Sequence, residues 1–137
     1  MKAILGNGEE ITCLDAAERE EYCIGSSRRT LTFICAADAV SVDALNAVLS
    51  DAANTETLTL VESTVMEEVR DGKLLTTEVP ETTAYEGYTM KLNVGIEKVM
   101  VQPESPDSAA VYADRLVFKL GRPTFIEQQL AKLGISG

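Results

Sequence analysis

The chain has 137 residues, 12 of them basic and 22 acidic, for a net charge of −10, with 45% hydrophobic and 25% charged residues. That size and balance predict one domain, residues 1–137, able to bury roughly two-thirds of its unfolded surface without disulfide or metal. The acidity argues against nucleic acid and anionic membrane surfaces as partners, because phosphate contacts need clustered Lys and Arg.

In chain order, Lys2 to Leu5 and Glu10 to Leu14 flank Gly6-Asn7-Gly8, and Asn-Gly tolerates the positive φ angles of a hairpin turn. The opening stretch MKAILGNGEE is far short of a secretory leader. No apolar run is long enough to span a bilayer. The expected location is the cytoplasm, unless the chain leaves inside a larger particle. Asp15 to Glu21 reads as a helical turn or an exposed connection, and Tyr22-Cys23-Ile24 as a brief strand before a turn at Gly25-Ser26-Ser27. Arg28 and Arg29 then read as charges that discourage pairing at a strand edge, with an anion site as the weaker alternative.

The most informative stretch is Arg29 to Val61. Leu31, Phe33 and Cys35 alternate with Thr30, Thr32 and Ile34, the period of a strand with one face on a core. Ser41 caps a short helix whose Val42, Leu45, Val48 and Leu49 form one apolar stripe. Asp51 to Asn54 ends it, and Leu58 and Leu60 alternate with Thr57, Thr59 and Val61 in a return strand. Two strands and a helix sharing one core follow.

Val65 to Val69 and Leu74 to Val79 bracket Asp71-Gly72, a second hairpin turn. Rich in acids and poor in large apolar residues, this hairpin reads as projecting. Pro80 to Tyr85 reads as a connection, and Tyr88 to Val101 as a long strand with a bulge or bend at Gly95. Pro103 and Pro106 make Gln102 to Ser108 a loop. In the strand Val111 to Leu120, Tyr112, Leu116, Phe118 and Leu120 share a face. Thr124 with Glu127 forms a capping box for a last helix with Phe125, Ile126, Gln129, Leu130 and Leu133 inward and Gly134 as its C-terminal cap. The fold class is α+β, mostly antiparallel β-sheet or a partly open barrel, with two short helices near 42–50 and 125–133.

Chemistry-bearing patterns are sparse. The chain has no histidine, which excludes Ser-His-Asp and Cys-His arrangements. Glu67 and Glu68, as strand neighbours, point to opposite faces and cannot converge. Asp71, Glu78 and Glu81 lack the dense oxygen ligands of a calcium loop. Cys13, Cys23 and Cys35 match no zinc spacing and read as buried or half-buried thiols. Met66, Met90 and Met100 read as core fillers. No catalytic residue, cofactor or metal is expected. The rival class, a small-ligand site or enzyme, would be supported by a deep pocket with convergent Glu, Arg and Tyr groups, such as Arg29, Tyr88 and Arg115.

The order RxLxF (Arg29, Leu31, Phe33), short helix, NTxxLTL (Asn54 to Leu60), GYTMKLNVGI (Gly87 to Ile96) and RLVFKL…TxxEQQL (Arg115 to Leu130) resembles small proteins encoded in Firmicutes prophages among tail and baseplate genes. This sequence departs from that pattern in an acidic hairpin at Ser63 to Glu86 and in Gln128 where a lysine is usual. The resemblance implies a non-enzymatic tail structural or assembly protein, with other phage tail proteins or copies of itself as partners. The residues expected to touch a partner are Asp71, Gly72, Arg28, Arg29 and Gln128.

Overall fold

A computed structural model describes residues 1–133; Gly134, expected to cap the last helix, lies outside the described residues. Its elements in order are β1 (Lys2–Ile4), β2 (Glu10–Thr12), β3 (Asp15–Cys23), β4 (Ser26–Ala36), α1 (Val42–Leu49), a 3₁₀ turn (Ala52–Asn54), β5 (Thr57–Arg70), β6 (Lys73–Glu86), β7 (Met90–Gln102), β8 (Val111–Gly121) and α2 (Phe125–Lys132). They form two four-stranded sheets, β2-β1-β5-β6 and β3-β4-β8-β7. Every pairing is antiparallel. The fold is α+β and mostly β, and the two sheets stay open instead of closing as a barrel.

Alternation builds the core as the sequence implies. Leu31, Phe33 and Cys35 of β4 meet Leu116, Phe118 and Leu120 of β8, while Ala3, Ile11, Leu58 and Leu60 contribute from the other sheet. Phe33 and Phe118 are direct register partners, and their rings stack at 4.8 Å. Each fully buried Leu or Phe contributes about 2 kcal/mol through the apolar surface it removes from water. Helix α1 starts where Ser41 Oγ accepts a hydrogen bond from the Ala44 N–H at 3.1 Å. It is too short to persist alone, so its buried Leu45 and Leu49 hold it to the core. The strands before and after it share this core but belong to different sheets.

Several local expectations are corrected. Asp15 to Glu21 is strand, running through Cys23, and the turn that follows is Ile24-Gly25, both at positive φ. An outer strand with both faces largely in solvent shows no apolar alternation, so its sequence looks like a connection. Pro80 to Tyr85 is likewise strand, with Pro80 opposite Ser63. Proline is tolerated there because β6 is an outer strand and its missing N–H has no ladder partner to lose. Gly95 pairs in register with Val117; the β7 irregularities fall between Lys91 and Asn93 and between Met100 and Gln102. The Met residues are not core fillers: Met66 and Met100 are exposed and Met90 is half-buried. On α2 the expected inner face is only partly covered: Gln129 and Leu130 are half-buried, but Phe125 is 73% and Ile126 71% exposed, and Leu133 at its end is exposed too.

Candidate functional site

The most distinctive surface comes from β5 and β6, which pair without a break from Thr57↔Glu86 to Arg70↔Lys73. Strand β1 accompanies β5 only as far as Val61. Beyond that point, residues 62–70 and 73–81 run on as a two-stranded ribbon, roughly 30 Å long at the usual rise of a strand. Asp71 (φ 51°) and Gly72 (φ 74°) close it in the left-handed turn geometry that matches strand twist. Partners directly across an antiparallel pair share a face. Val69 and Leu74 therefore share one face with Val65, while Met66 and Leu75 lie on the other. All five are exposed, Val69 at 70% and Leu74 at 61%. Glu62, Glu67, Glu68, Glu78 and Glu81 intersperse them, and only Arg70 and Lys73 oppose that charge, near the tip.

The Thr57–Glu86 end of β5 and β6 adjoins a polar, hydrogen-bonded cluster. Arg28 on β4 has a side chain only 1% exposed, and its guanidinium grips both Glu127 oxygens at 2.6 and 3.2 Å. Its remaining hydrogen bonds go to the Cys23, Ile24 and Arg122 carbonyls, each at 3.1 Å, and to the Met90 Sδ at 3.0 Å. Glu127 Oε1 also accepts the Thr124 N–H at 2.8 Å, completing the capping box. Together these contacts, the Arg28 pair foremost, hold the Glu127 carboxyl at a pKa of about 2. Nearby, the buried Tyr88 hydroxyl donates to Glu18, which also pairs with Arg29. Burial, then that hydrogen bond, pushes Tyr88 up to about 12, and the same hydroxyl holds Glu18 below the usual carboxylate range. The Arg122 guanidinium lies 4.9 Å from the Tyr88 ring centre and donates to the Glu86 carbonyl.

The expected contact residues fall in two places. Arg28, Arg29 and Gln128 gather near α2, whereas Asp71 and Gly72 sit at the ribbon tip, roughly 45 Å along β5 and β6 from their Thr57–Glu86 end. Neither arginine is an edge charge, because β4 runs between β3 and β8. Arg28 is buried, Arg29 is engaged with Glu18, and Gln128 is exposed while donating to the Pro123 carbonyl at 3.1 Å. Arg29, Tyr88 and Arg115 do not converge. Arg115 pairs with Ala36, seven positions along β4 from Arg29 and therefore roughly 23 Å away. A groove of about 620 Å³ lies between α2 and the segments next to the Thr57–Glu86 end of β5 and β6, lined by Glu56, Glu86, Arg122, Gln128 and Lys132 among others. Among the described residues, no group of three His, Cys, Asp or Glu side chains is placed to hold a metal, and no helix is long and apolar enough to cross a membrane.

Sequence reasoning missed the Arg28–Glu127 pair and the full length of the ribbon. The capping box identified Glu127, but nothing local reveals the partner that takes its carboxylate from the far side. The ribbon's one signal is the Thr-rich, β-favouring composition on both sides of Pro80, which the proline masks. No family model, curated protein or solved structure matches the chain.

Proposed function

We propose that the chain is a structural or assembly component of a phage tail that works through protein contacts, with the β5–β6 ribbon as its principal contact element. The observation that carries this reading is the ribbon itself. An isolated pair of strands is marginal in water, yet this one extends well past its sheet and presents apolar side chains on both faces. Such a surface gains stability when a partner covers it. The β6 edge offers unpaired backbone groups for strand addition, and the acids along it favour a partner whose apolar surface is flanked by Lys or Arg. Other tail proteins or further copies of this chain fit that role. The tail setting rests on the resemblance of Arg29 to Leu133 to prophage proteins.

The test is mass spectrometry of particles purified after prophage induction in a strain carrying the gene. Peptides of this chain at stoichiometric abundance support a virion component. Presence in the lysate at the assembly stage, bound to tail intermediates but absent from particles, supports an assembly factor. Recovery only as free protein, with no tail protein attached, overturns the proposal.

A further inference from the structure

Two of the three cysteines lie against each other inside the core. Cys35 of β4 and Cys13, just past β2, place their sulfurs 3.6 Å apart, and both residues are buried. The Leu14 N–H donates to the Ile34 carbonyl at 2.7 Å, so the backbone around Cys13 already runs beside that of Cys35. Neighbouring strands lie within the backbone separation that a disulfide spans. Bringing the sulfurs to bonding distance needs about 1.5 Å of side-chain rotation.

We propose that Cys13 and Cys35 form an oxidation site, at which a peroxide-class oxidant closes a disulfide joining the β1–β2 end of one sheet to the centre of the other. The Cys35 S–H points to the Cys13 sulfur, and this hydrogen bond lowers the Cys13 thiol pKa while raising that of Cys35. Cys13 is therefore the sulfur that reacts first. Its thiolate attacks one peroxide oxygen, the O–O bond breaks, and hydroxide leaves and takes up the proton that Cys13 released. The Cys35 sulfur then attacks the Cys13 sulfenic acid, the S–O bond breaks, and the Cys35 proton departs with the hydroxyl as water. Two thiols and one peroxide give one disulfide and two waters. Access comes from opening of the short strands β1 and β2, three residues each, which cover Cys13. Cys23, half-buried at the end of β3, serves as an internal reference.

The experiment treats the full native chain, alongside Cys23→Ser, with hydrogen peroxide, then unfolds and alkylates it for intact mass and peptide mapping. The expected product has lost two hydrogens and carries a Cys13–Cys35 linked peptide. Cys23 remains the one alkylatable thiol in the unmodified chain, and none remains in Cys23→Ser. The unfolding midpoint rises by roughly 5–10 °C and falls back on treatment with a thiol reductant. Alkylation of both Cys13 and Cys35, over-oxidation of either alone, a disulfide through Cys23, or a link that forms only in denaturant overturns the proposal.

Discussion

Arg28 and Glu127, 99 positions apart, meet through two hydrogen bonds that join strand β4 to the C-terminal helix. No residue of α2 is fully buried, so this pair and the Thr124 cap do most of what apolar packing does for α1. Glu127→Gln keeps the length of the side chain and a capping-box partner but leaves a buried cation without its counterion. The expected loss is about 2 kcal/mol, less than for a fully buried pair because the Glu127 side chain remains 34% exposed. Hydrogen exchange should accelerate throughout α2 while the β4 and β8 amides stay protected. Unchanged exchange in α2 would show that the pair does not hold the helix.

The same contact sets an acid limb. The folded pKa of Glu127, about 2, lies below its ordinary 4.5, so between those values the unfolded chain binds the extra proton. Its stabilisation is present above about 4.5 and is lost as pH falls toward 2. Glu18 is also depressed, by Tyr88 and then Arg29, and acts with the same sign. Urea midpoints measured from pH 6 to pH 2 should fall more steeply in the parent than in Glu127→Gln. Parallel slopes would remove Glu127 as the cause.

Ile24 adopts φ 49°, a region that a β-branched residue rarely enters, in the turn between β3 and β4. Its side chain is exposed, and its carbonyl accepts from Arg28 Nη2, so the backbone contact is what the fold uses. Ile24→Asn gives the Asn-Gly pair that this turn type favours. It should add about 1 kcal/mol, or roughly 3 °C in unfolding midpoint, without moving the Arg28 contacts. A lower midpoint would show that the Ile24 side chain supplies contacts worth more than the strain it carries.

Gly6 and Gly8 flank one turn but answer to different constraints. A Cβ on Gly6 would sit 2.6 Å from the Ala53 carbonyl oxygen, whereas one on Gly8 (φ 88°) would meet nothing within 4 Å. Gly6→Ala must push the β1–β2 loop off the 3₁₀ turn and weaken the Gly6 N–H to Asn54 carbonyl bond, at a cost of about 1–3 kcal/mol. Gly8→Asn should cost less than about 1 kcal/mol, because Asn tolerates positive φ. Thermal midpoints of the two variants decide it; equal losses would show that conformation, not close approach, governs both sites.

What was legible in the sequence was local. The alternation of Leu31, Phe33 and Cys35, the Ser41 cap, Asp71-Gly72 and the Thr124–Glu127 box each lie within a few residues and act through neighbouring backbone. Strand β3 was not legible because it is held by hairpin pairing to the next strand, across a turn whose Ile24 carries no usual turn signal, and by charges such as Glu18 with Arg29 and Glu21 with Lys119. Its outer position relaxes the pattern that marks buried strands. The stripe on α2 misled because helical spacing shows which residues share a face, not whether anything covers it. The candidate contact surface was half legible: the turn at its tip was identified, but the continuous ribbon behind it depends on pairing across Pro80.

The contact role proposed for the ribbon can be tested separately from fold stability. Val69 and Leu74 are cross-strand partners at its outer end, exposed and beyond the reach of β1. Replacing both with Ser removes their apolar surface without opening a cavity, so the urea midpoint should correspond to a change within about 0.5 kcal/mol of the parent. A loss above about 2 kcal/mol would show instead that the ribbon supports the body of the fold. Incorporation into tail particles, or self-association in light scattering, should fall at least tenfold, which corresponds to about 1.4 kcal/mol of lost binding. A control pair on another exposed surface, Ile96→Ser with Tyr112→Ser, should leave that association intact. Loss of association in the control but not in the ribbon variant would move the contact from β5–β6 to the exposed end of β7–β8.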